Sequence, residues 1–243
     1  SSVWAGHLEP STSTYSGPNH AAIARFIEQQ LLSGSRALAG GSQSHVYVYV
    51  DPAGRYAVKI PRGNPLWSWV ERWIIRRERS IYARLEGLPG IPRCHGLVDG
   101  RYLVLDYVEG ESFRAAQARL DPAHPFFERL REIIEAVHGR GVAHTDLKRK
   151  DNLLVQAGDT PCIVDFGAAM VRGGNPLSRG LFRIARQFDR NAWIKLKYDG
   201  YRNIAPEDRT HLRRLGIERA SHWIKRRLRH LRRALSKKKE RSR

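Results

Sequence analysis

Cysteine is scarce: the 243 residues hold two, Cys94 and Cys162. That excludes a disulfide scaffold and makes a reducing compartment the default expectation. No run of 18 apolar residues occurs, so no membrane-spanning helix is expected. The opening SSVWAGHLEP has neither an initiator Met nor the basic-then-apolar layout of a secretory signal. Acidic side chains are also short: 24 Asp+Glu stand against 43 Lys+Arg, a net charge of +19. Self-repulsion of that size favours an anionic partner such as nucleic acid, a lipid headgroup surface or a phosphorylated substrate. The charge is concentrated, since residues 201–243 hold 16 Lys+Arg and only 4 Asp+Glu. Hydrophobic residues make up 41%, enough for a core, which excludes global disorder.

Residues 1–18 are rich in Ser, Thr, Gly and Pro and read as a loose lead-in. Residues 19–32 fit an amphipathic helix capped by Asn19, with Ile23, Phe26, Ile27, Gln30 and Leu31 on one face. A small-residue stretch, Ala39 to Ser44, runs into the alternating HVYVYV, a strand, and residues 51–54 turn it into a second strand over 55–60. Residues 66–86 read as a helix with Trp69, Trp73, Tyr82 and Leu85 on one side, ended by residues 87–90. Strands are predicted near 93–98, 101–108, 153–155 and 162–164, a helix over 125–140, and a mostly helical pattern from 177 onward. The order is a β-rich half followed by an α-rich half, an α+β layout.

The chemistry-bearing segments are residues 144–152, HTDLKRKDN, and residues 163–167, IVDFG. Upstream, Ala57-Val58-Lys59 lies on the second predicted strand. Together and in this order they resemble the protein-kinase-like superfamily, whose signature is H-R-D-x-x-x-x-N followed by D-F-G and preceded by a strand-borne Lys. The resemblance covers roughly residues 36–170. It implies a two-lobed protein-kinase-like fold with a β-rich N-lobe and a reduced helical C-lobe. The ranges it implies are an N-terminal extension (1–35), an N-lobe (36–105), a C-lobe (106–216) and a basic amphipathic tail (217–243).

It also implies roles. ATP and Mg2+ are the implied cofactors. Lys59 would hold the α/β-phosphates, with Glu78, 19 residues later on the predicted helix, as its partner. Glu71 and Glu86 are its rivals. Asp165 and Asn152 would supply hard oxygen ligands to Mg2+. Asp146 would orient or deprotonate the acceptor hydroxyl, and Lys148 would neutralise charge on the transferred phosphate. Gly40, Gly41, Ser42 and Ser44 would present backbone N–H groups to phosphate. Val46 and Ala57 would cover the adenine, and the Asp106 carbonyl and Val108 N–H would meet its edge.

Three departures mark this sequence. Five residues rather than four separate Asp146 from Asn152, so either Asp151 replaces the Asn or the loop has an extra residue. The 19-residue step from Asp146 to Asp165 is one longer than expected, while the step from Asn152 to Asp165 matches, which favours Asn152. Thr145 stands where the family carries the Arg that receives an activation-segment phosphate, so switching by that route is not expected. Ala39, Gly41 and Ser44 stand where three glycines are expected, with less conformational freedom at two of them.

Other readings are plainer. His144 is expected to be a packed structural histidine, Cys94 and Cys162 small core hydrophobes, and Ala205-Pro206-Glu207 a chance match to A-P-E. Seventy-six residues follow Gly167, fewer than the helical half of a typical eukaryotic protein kinase. The sequence thus resembles compact atypical types, the lipopolysaccharide-core Kdo/heptose kinases and RIO-like kinases. The expected activity is transfer of the ATP γ-phosphate to a hydroxyl, on a membrane-associated lipopolysaccharide-type sugar ahead of protein Ser/Thr. A nucleotide-binding pseudokinase or basic adaptor is the reading from another class.

Ile217, Ala220, Ile224, Leu228, Leu231 and Leu235 are at helical spacing with Arg and Lys elsewhere. That stretch either docks on the helical lobe or meets an anionic membrane surface; nucleic acid is disfavoured. Trp67, Trp69 and Trp73 lie beside Arg72, Arg76, Arg77 and Arg79. The cluster suits a headgroup boundary as well as it suits packing against the sheet. The expected location is cytoplasmic, with peripheral contact at the inner face of the membrane.

Overall fold

The computed structural model describes residues 17–33, 39–40, 44–61 and 68–213. Gly41 and Ser42 of the expected phosphate loop, Trp67, and the 217–235 helix lie outside the described residues. In chain order the elements are α1 (His20–Ser33), β1 (Ala39–Gly40), β2 (Ser44–Asp51), β3 (Gly54–Pro61), α2 (Ser68–Leu85), β4 (Cys94–Val98), β5 (Tyr102–Asp106) and β6 (Glu111–Ser112). Then come α3 (Phe113–Ala116), α4 (Pro125–Gly139), β7 (Val142–Ala143), β8 (Leu153–Gln156), β9 (Thr160–Ile163), β10 (Met170–Val171) and α5 (Pro176–Lys197). This is the expected α+β, kinase-like fold. The described residues form two compact units, those within 17–111 with 154–167 and those within 112–153 with 168–213.

The first unit is built on a five-stranded antiparallel sheet in the order β1-β2-β3-β5-β4. Asp51 closes the β2–β3 hairpin by accepting from the N–H groups of Ala53 (2.9 Å) and Gly54 (3.0 Å). Alternation then divides the side chains between two faces. Tyr56, Val58, Ile60, Tyr102 and Val104 are buried on one face, against Ile23 and Ile27 of α1. Val46, Val48, Ala57 and Lys59 share the other, because Val46 pairs with Lys59 and Val48 with Ala57.

Helix α1 begins as the sequence predicts, with the Asn19 side chain accepting from the Ala22 N–H (3.1 Å). Its apolar face is narrower than expected: Ile23 and Ile27 are buried, but Leu31 faces solvent.

Helix α2 departs further from expectation. It buries Ile75, Glu78, Ile81, Tyr82 and Leu85, while Trp69 and Trp73 are 66% and 61% exposed. The two tryptophans therefore do not share a side with Tyr82 and Leu85. Spacings of three and four carry residues 75, 78, 82 and 85 down one face, and positions 69 and 73 fall on the opposite one. The helix stops where Gly87 adopts φ +78°.

In the second unit Pro125 and Pro176 open α4 and α5, whose N-caps are His124 and Asn175. Phe113, Phe126 and Phe127 pack together at 5.4–6.1 Å between centroids. The Trp193 indole of α5 donates to the Phe127 carbonyl (2.7 Å). β7 pairs antiparallel with β10. The pattern expected to be helical from 177 onward holds to Lys197. After it the chain is irregular to residue 207, followed by a short 3-10 turn at Asp208–His211. Asp199, Gly200 and Asn203 take positive φ there, which ends the helix. Ala205-Pro206-Glu207 lies in this stretch, beyond α5, not between Gly167 and that helix.

Candidate active-site residues

Within the first unit, Lys59, Glu78 and Asp165 come together. Lys59 projects from β3 on the face away from α1 and reaches both Glu78 oxygens at 2.9 and 2.8 Å. The same ammonium donates to Asp165 Oδ1 at 2.8 Å. Glu78 is buried, on the inward face of α2, whereas Glu71 and Glu86, its rivals in sequence, make no contact with this lysine among the described bonds. Burial works against the lysine charge, but the Glu78 and Asp165 carboxylates outweigh it and hold the Lys59 pKa above its ordinary value. An ammonium fixed in this way is a permanent cation suited to phosphate oxygens.

Asp165 follows β9 and takes φ +65°, a left-handed conformation that turns its carboxylate toward Lys59. Two residues of α2 support it. The Asp165 N–H donates to the Tyr82 hydroxyl (3.3 Å), and the Phe166 ring meets the Tyr82 ring edge-on at 5.2 Å. Burial, reinforced by the Glu78 and Asp165 charges, lifts the Tyr82 phenol well above its usual value, so it stays protonated. Arg77 Nη1 donates to the Gly167 carbonyl at 3.3 Å. A Cβ on Gly167 would lie 3.3 Å from Asp165 Oδ1 and 3.6 Å from Glu78 Oε2. A side chain here would press on the Asp165 carboxylate, which would have to give by a few tenths of an ångström. Sequence reasoning missed Tyr82 and Arg77 as supports. Their positions four residues after and one before Glu78 were the available signal.

In the second unit, Asp146 and Asn152 come together. The Asn152 amide nitrogen donates to the Asp146 carbonyl (3.1 Å) and to its Oδ2 (3.4 Å), and Asn152 is buried. Asp151 turns outward to Arg114 (3.1 Å), which lowers its carboxyl pKa. Lys150 is held by Asp199 (2.9 Å) and by Gln117. So the outward-facing residue of the lengthened loop is Asp151, and Asn152 lies beside Asp146. Lys148 extends over the Phe188 ring at 5.8 Å.

The residue that organises this loop is Asp189 of α5, which sequence reasoning also missed. It is buried and accepts from the His144 N–H (2.7 Å), the Thr145 N–H (2.7 Å) and His138 Nε2 (3.0 Å). Thr145 takes φ +66°, uncommon for a β-branched residue, and its hydroxyl donates to the Ala168 carbonyl at 2.9 Å. His144 is buried as a packed residue, and its Nδ1 accepts from the Asp146 N–H (3.3 Å).

The remaining expected residues line the first sheet. Val46 and Ala57 are half-buried on the Lys59 face. Gly40 pairs with His45 at the β1–β2 hairpin, next to Ser44. Asp106 accepts from His95 Nε2 (2.6 Å), and its N–H donates to the Arg93 carbonyl. A cavity of about 540 Å³ borders Asp106 and Val108, but its walls are Tyr56, Pro92 and Cys162 rather than Val46 or Ala57. It is therefore not the adenine position expected from the sequence. Cys162 is buried and its thiol is pushed up to about 12 by burial; Cys94 is half-buried.

In the second unit, Asn152 commits its amide nitrogen to Asp146, which leaves its carbonyl oxygen as a hard donor. In the first unit, the Asp165 carboxylate is a hard donor of the same class. Among the described residues no cluster of three or more His, Cys, Asp or Glu could hold a metal.

Comparison with protein-family models finds no match. Among curated proteins, the chain is 30% identical over 155 residues to the serine/threonine-protein kinase PknD of Mycobacterium tuberculosis, covering 60% of this chain and 23% of that protein. It is 39% identical over 100 residues to CBL-interacting protein kinase 5 of rice, covering 38% of this chain and 21% of that protein. It is 33% identical over 153 residues to the serine/threonine-protein kinase cds1 of Schizosaccharomyces pombe, covering 57% of this chain and 33% of that protein. The chain thus spans a third or less of the length of these relatives. Their names support the protein-kinase-like superfamily and give no support to the resemblance to lipopolysaccharide-core kinases.

Proposed function

We propose that this chain is an ATP- and Mg2+-dependent phosphotransferase that moves the γ-phosphate of ATP to the hydroxyl of a protein serine or threonine. The observation that carries the reading is Lys59 held between Glu78 and Asp165 at 2.8–2.9 Å. Phosphoryl transfer needs positioning and charge neutralisation more than covalent chemistry, and a clamped ammonium supplies both. In this reading Lys59 steadies the α/β-phosphates. Asp165 and Asn152 would hold Mg2+, whose charge would neutralise the phosphates. Asp146 orients the acceptor hydroxyl and takes its proton. Asp189 fixes the backbone that presents Asp146. Val46 and Ala57 offer apolar cover to the adenine, and the N–H groups around Gly40 and Ser44 face phosphate.

The acceptor is assigned to protein because the relatives with extended similarity are named as serine/threonine kinases. The glycolipid sugar follows from the short helical half, the basic 217–243 stretch (outside the described residues) and the Trp-rich start of α2, and it gains nothing from these relatives. A further support concerns regulation. Residues 168–175 are tied to their own unit by the β7–β10 pairing, by Arg172 N–H to the Gly141 carbonyl (2.8 Å) and by Gly173 N–H to Ser178 Oγ (2.8 Å). With Thr145 in place of a phosphate-receiving Arg, activity is expected without phosphorylation of this segment.

The test is transfer of labelled γ-phosphate from Mg-ATP to a basic protein mixture and, in parallel, to a lipopolysaccharide-core sugar. Label in phosphoserine and phosphothreonine is the expected result. Label in the sugar alone would overturn the acceptor.

A further inference from the structure

The outward face of α2 is not that of a solvated helix. Trp69, Arg72, Trp73 and Arg76 follow one another at i, i+3, i+4 and i+7, and all four are exposed. Arg79 and Ala83 extend the stripe and are exposed as well. At 1.5 Å per residue the stripe from 69 to 83 runs for about 21 Å along one line of the surface. The acidic residues of the helix do not join it: Glu78 is buried on the inner face, and Glu71, half-buried, is offset from the stripe. The inner face is already filled by Ile75, Ile81, Tyr82 and Leu85, so the tryptophans are not surplus core. Two indoles about two-thirds exposed, interleaved with arginines, are unusual on a solvent-facing helix.

The geometry points to this face as a docking surface for an anionic lipid bilayer, with α2 lying along the interface. Trp69 and Trp73 sit at the headgroup boundary, where an indole has both an apolar body and a polar N–H to place. Arg72 and Arg76 meet the lipid phosphates. Charge complementarity selects this occupant: from Trp69 to Ala83 the stripe carries Arg72, Arg76 and Arg79 and no carboxylate, exposed Glu86 lies only past its end, and the chain has a net charge of +19. A line of alternating aromatic and cationic groups also matches the interfacial pattern of an amphipathic helix. The assignment is independent of the catalytic reading.

The experiment is sedimentation of the full chain with sucrose-loaded phosphatidylcholine vesicles, with and without phosphatidylglycerol. The wild type should pellet with the anionic vesicles and stay in solution with the neutral ones. Neutralising both arginines (Arg72→Gln/Arg76→Gln) should weaken partitioning about 25-fold, roughly fivefold for each cation near the surface. Trp69→Ala/Trp73→Ala should weaken it by about an order of magnitude and leave the circular dichroism spectrum unchanged. Brominated acyl chains should quench part of the wild-type tryptophan emission, and that part should vanish in Trp69→Phe/Trp73→Phe. Partitioning of the Trp69→Ala/Trp73→Ala variant within twofold of wild type would overturn the proposal and move any membrane affinity elsewhere, to residues 217–243 first. Equal pelleting with neutral vesicles, or none with anionic ones, would overturn it too.

Discussion

Asp189→Asn isolates what one buried carboxylate does for the loop that carries Asp146. The native side chain accepts two backbone N–H bonds at 2.7 Å, from His144 and Thr145, and one from His138 Nε2 at 3.0 Å. Asparagine has nearly the same shape but offers one carbonyl oxygen and turns an NH2 group toward the remaining donors. At least one buried donor then faces another donor. A hydrogen bond to a charged group contributes about 1.5–3 kcal/mol, and an unsatisfied buried donor adds about 1–3 kcal/mol. Thr145 at φ +66° adds strain of about 1–3 kcal/mol, which these bonds hold in place. A local loss of about 3 kcal/mol is therefore expected. Hydrogen exchange reads it directly: the His144 and Thr145 amides should exchange roughly 100-fold faster in the variant, while amides of β2 and β3 keep their protection. Phosphate transfer should fall with them. Unchanged protection at residues 144 and 145 would refute the assignment of Asp189 as the support of this loop.

Glu78→Gln keeps the volume of a fully buried side chain but removes one of the two charges on Lys59. The chain should fold, with apparent ATP affinity about tenfold weaker; an unchanged KM for ATP would contradict the role of the pair. Gly167→Ala places a methyl group 3.3 Å from Asp165 Oδ1 and should lower kcat at least tenfold with little change in thermal stability, as measured by calorimetry and steady-state kinetics. The pH dependence of stability has a specific source in α4 and α5. Burial opposes the charge of Glu135, but hydrogen bonds and charge from Arg190 and Arg186 bring its pKa from 4.5 down to about 2. Its contribution is full above pH 4.5 and is lost as pH falls toward 2. Because the side chain is 38% exposed, solvent screening limits this to about 1 kcal/mol. Acid titration of Arg190→Ala should show that much less loss across the same window.

The parts of the fold legible in the sequence are those fixed by short-range pattern. HVYVYV and the Asp51–Gly54 turn specify a hairpin by alternation and turn residues, and Asn19 and Gly87 mark helix ends by local chemistry. Lys59 and Glu78 were legible only through the resemblance to the protein-kinase-like superfamily, which pairs a strand-borne Lys with a Glu of the following helix. Asp189 was not. It sits in the middle of α5, 43 residues past Asp146, and its role exists only through bonds to a distant backbone. The tryptophans of α2 were legible only in part: the sequence left them between packing on the sheet and an outward boundary, and put Trp69 and Trp73 on the side of Tyr82 and Leu85, a face that Ile75, Ile81, Tyr82 and Leu85 already fill. The extra residue of the 146–152 loop could be counted in sequence, but not its direction. Arg114 draws Asp151 outward and Asn152 takes the buried place beside Asp146.

Asp146 tests the central claim most directly, because it is the residue assigned to the acceptor and not to the nucleotide. The measurement pairs ATP binding, followed by calorimetry with Mg2+ present, with phosphate transfer to protein for wild type and Asp146→Ala. The account requires transfer to fall by at least a thousandfold, an order of magnitude taken from the upper range of acid–base catalysis, while ATP binding stays within about threefold of wild type. Wild-type turnover in Asp146→Ala would contradict it.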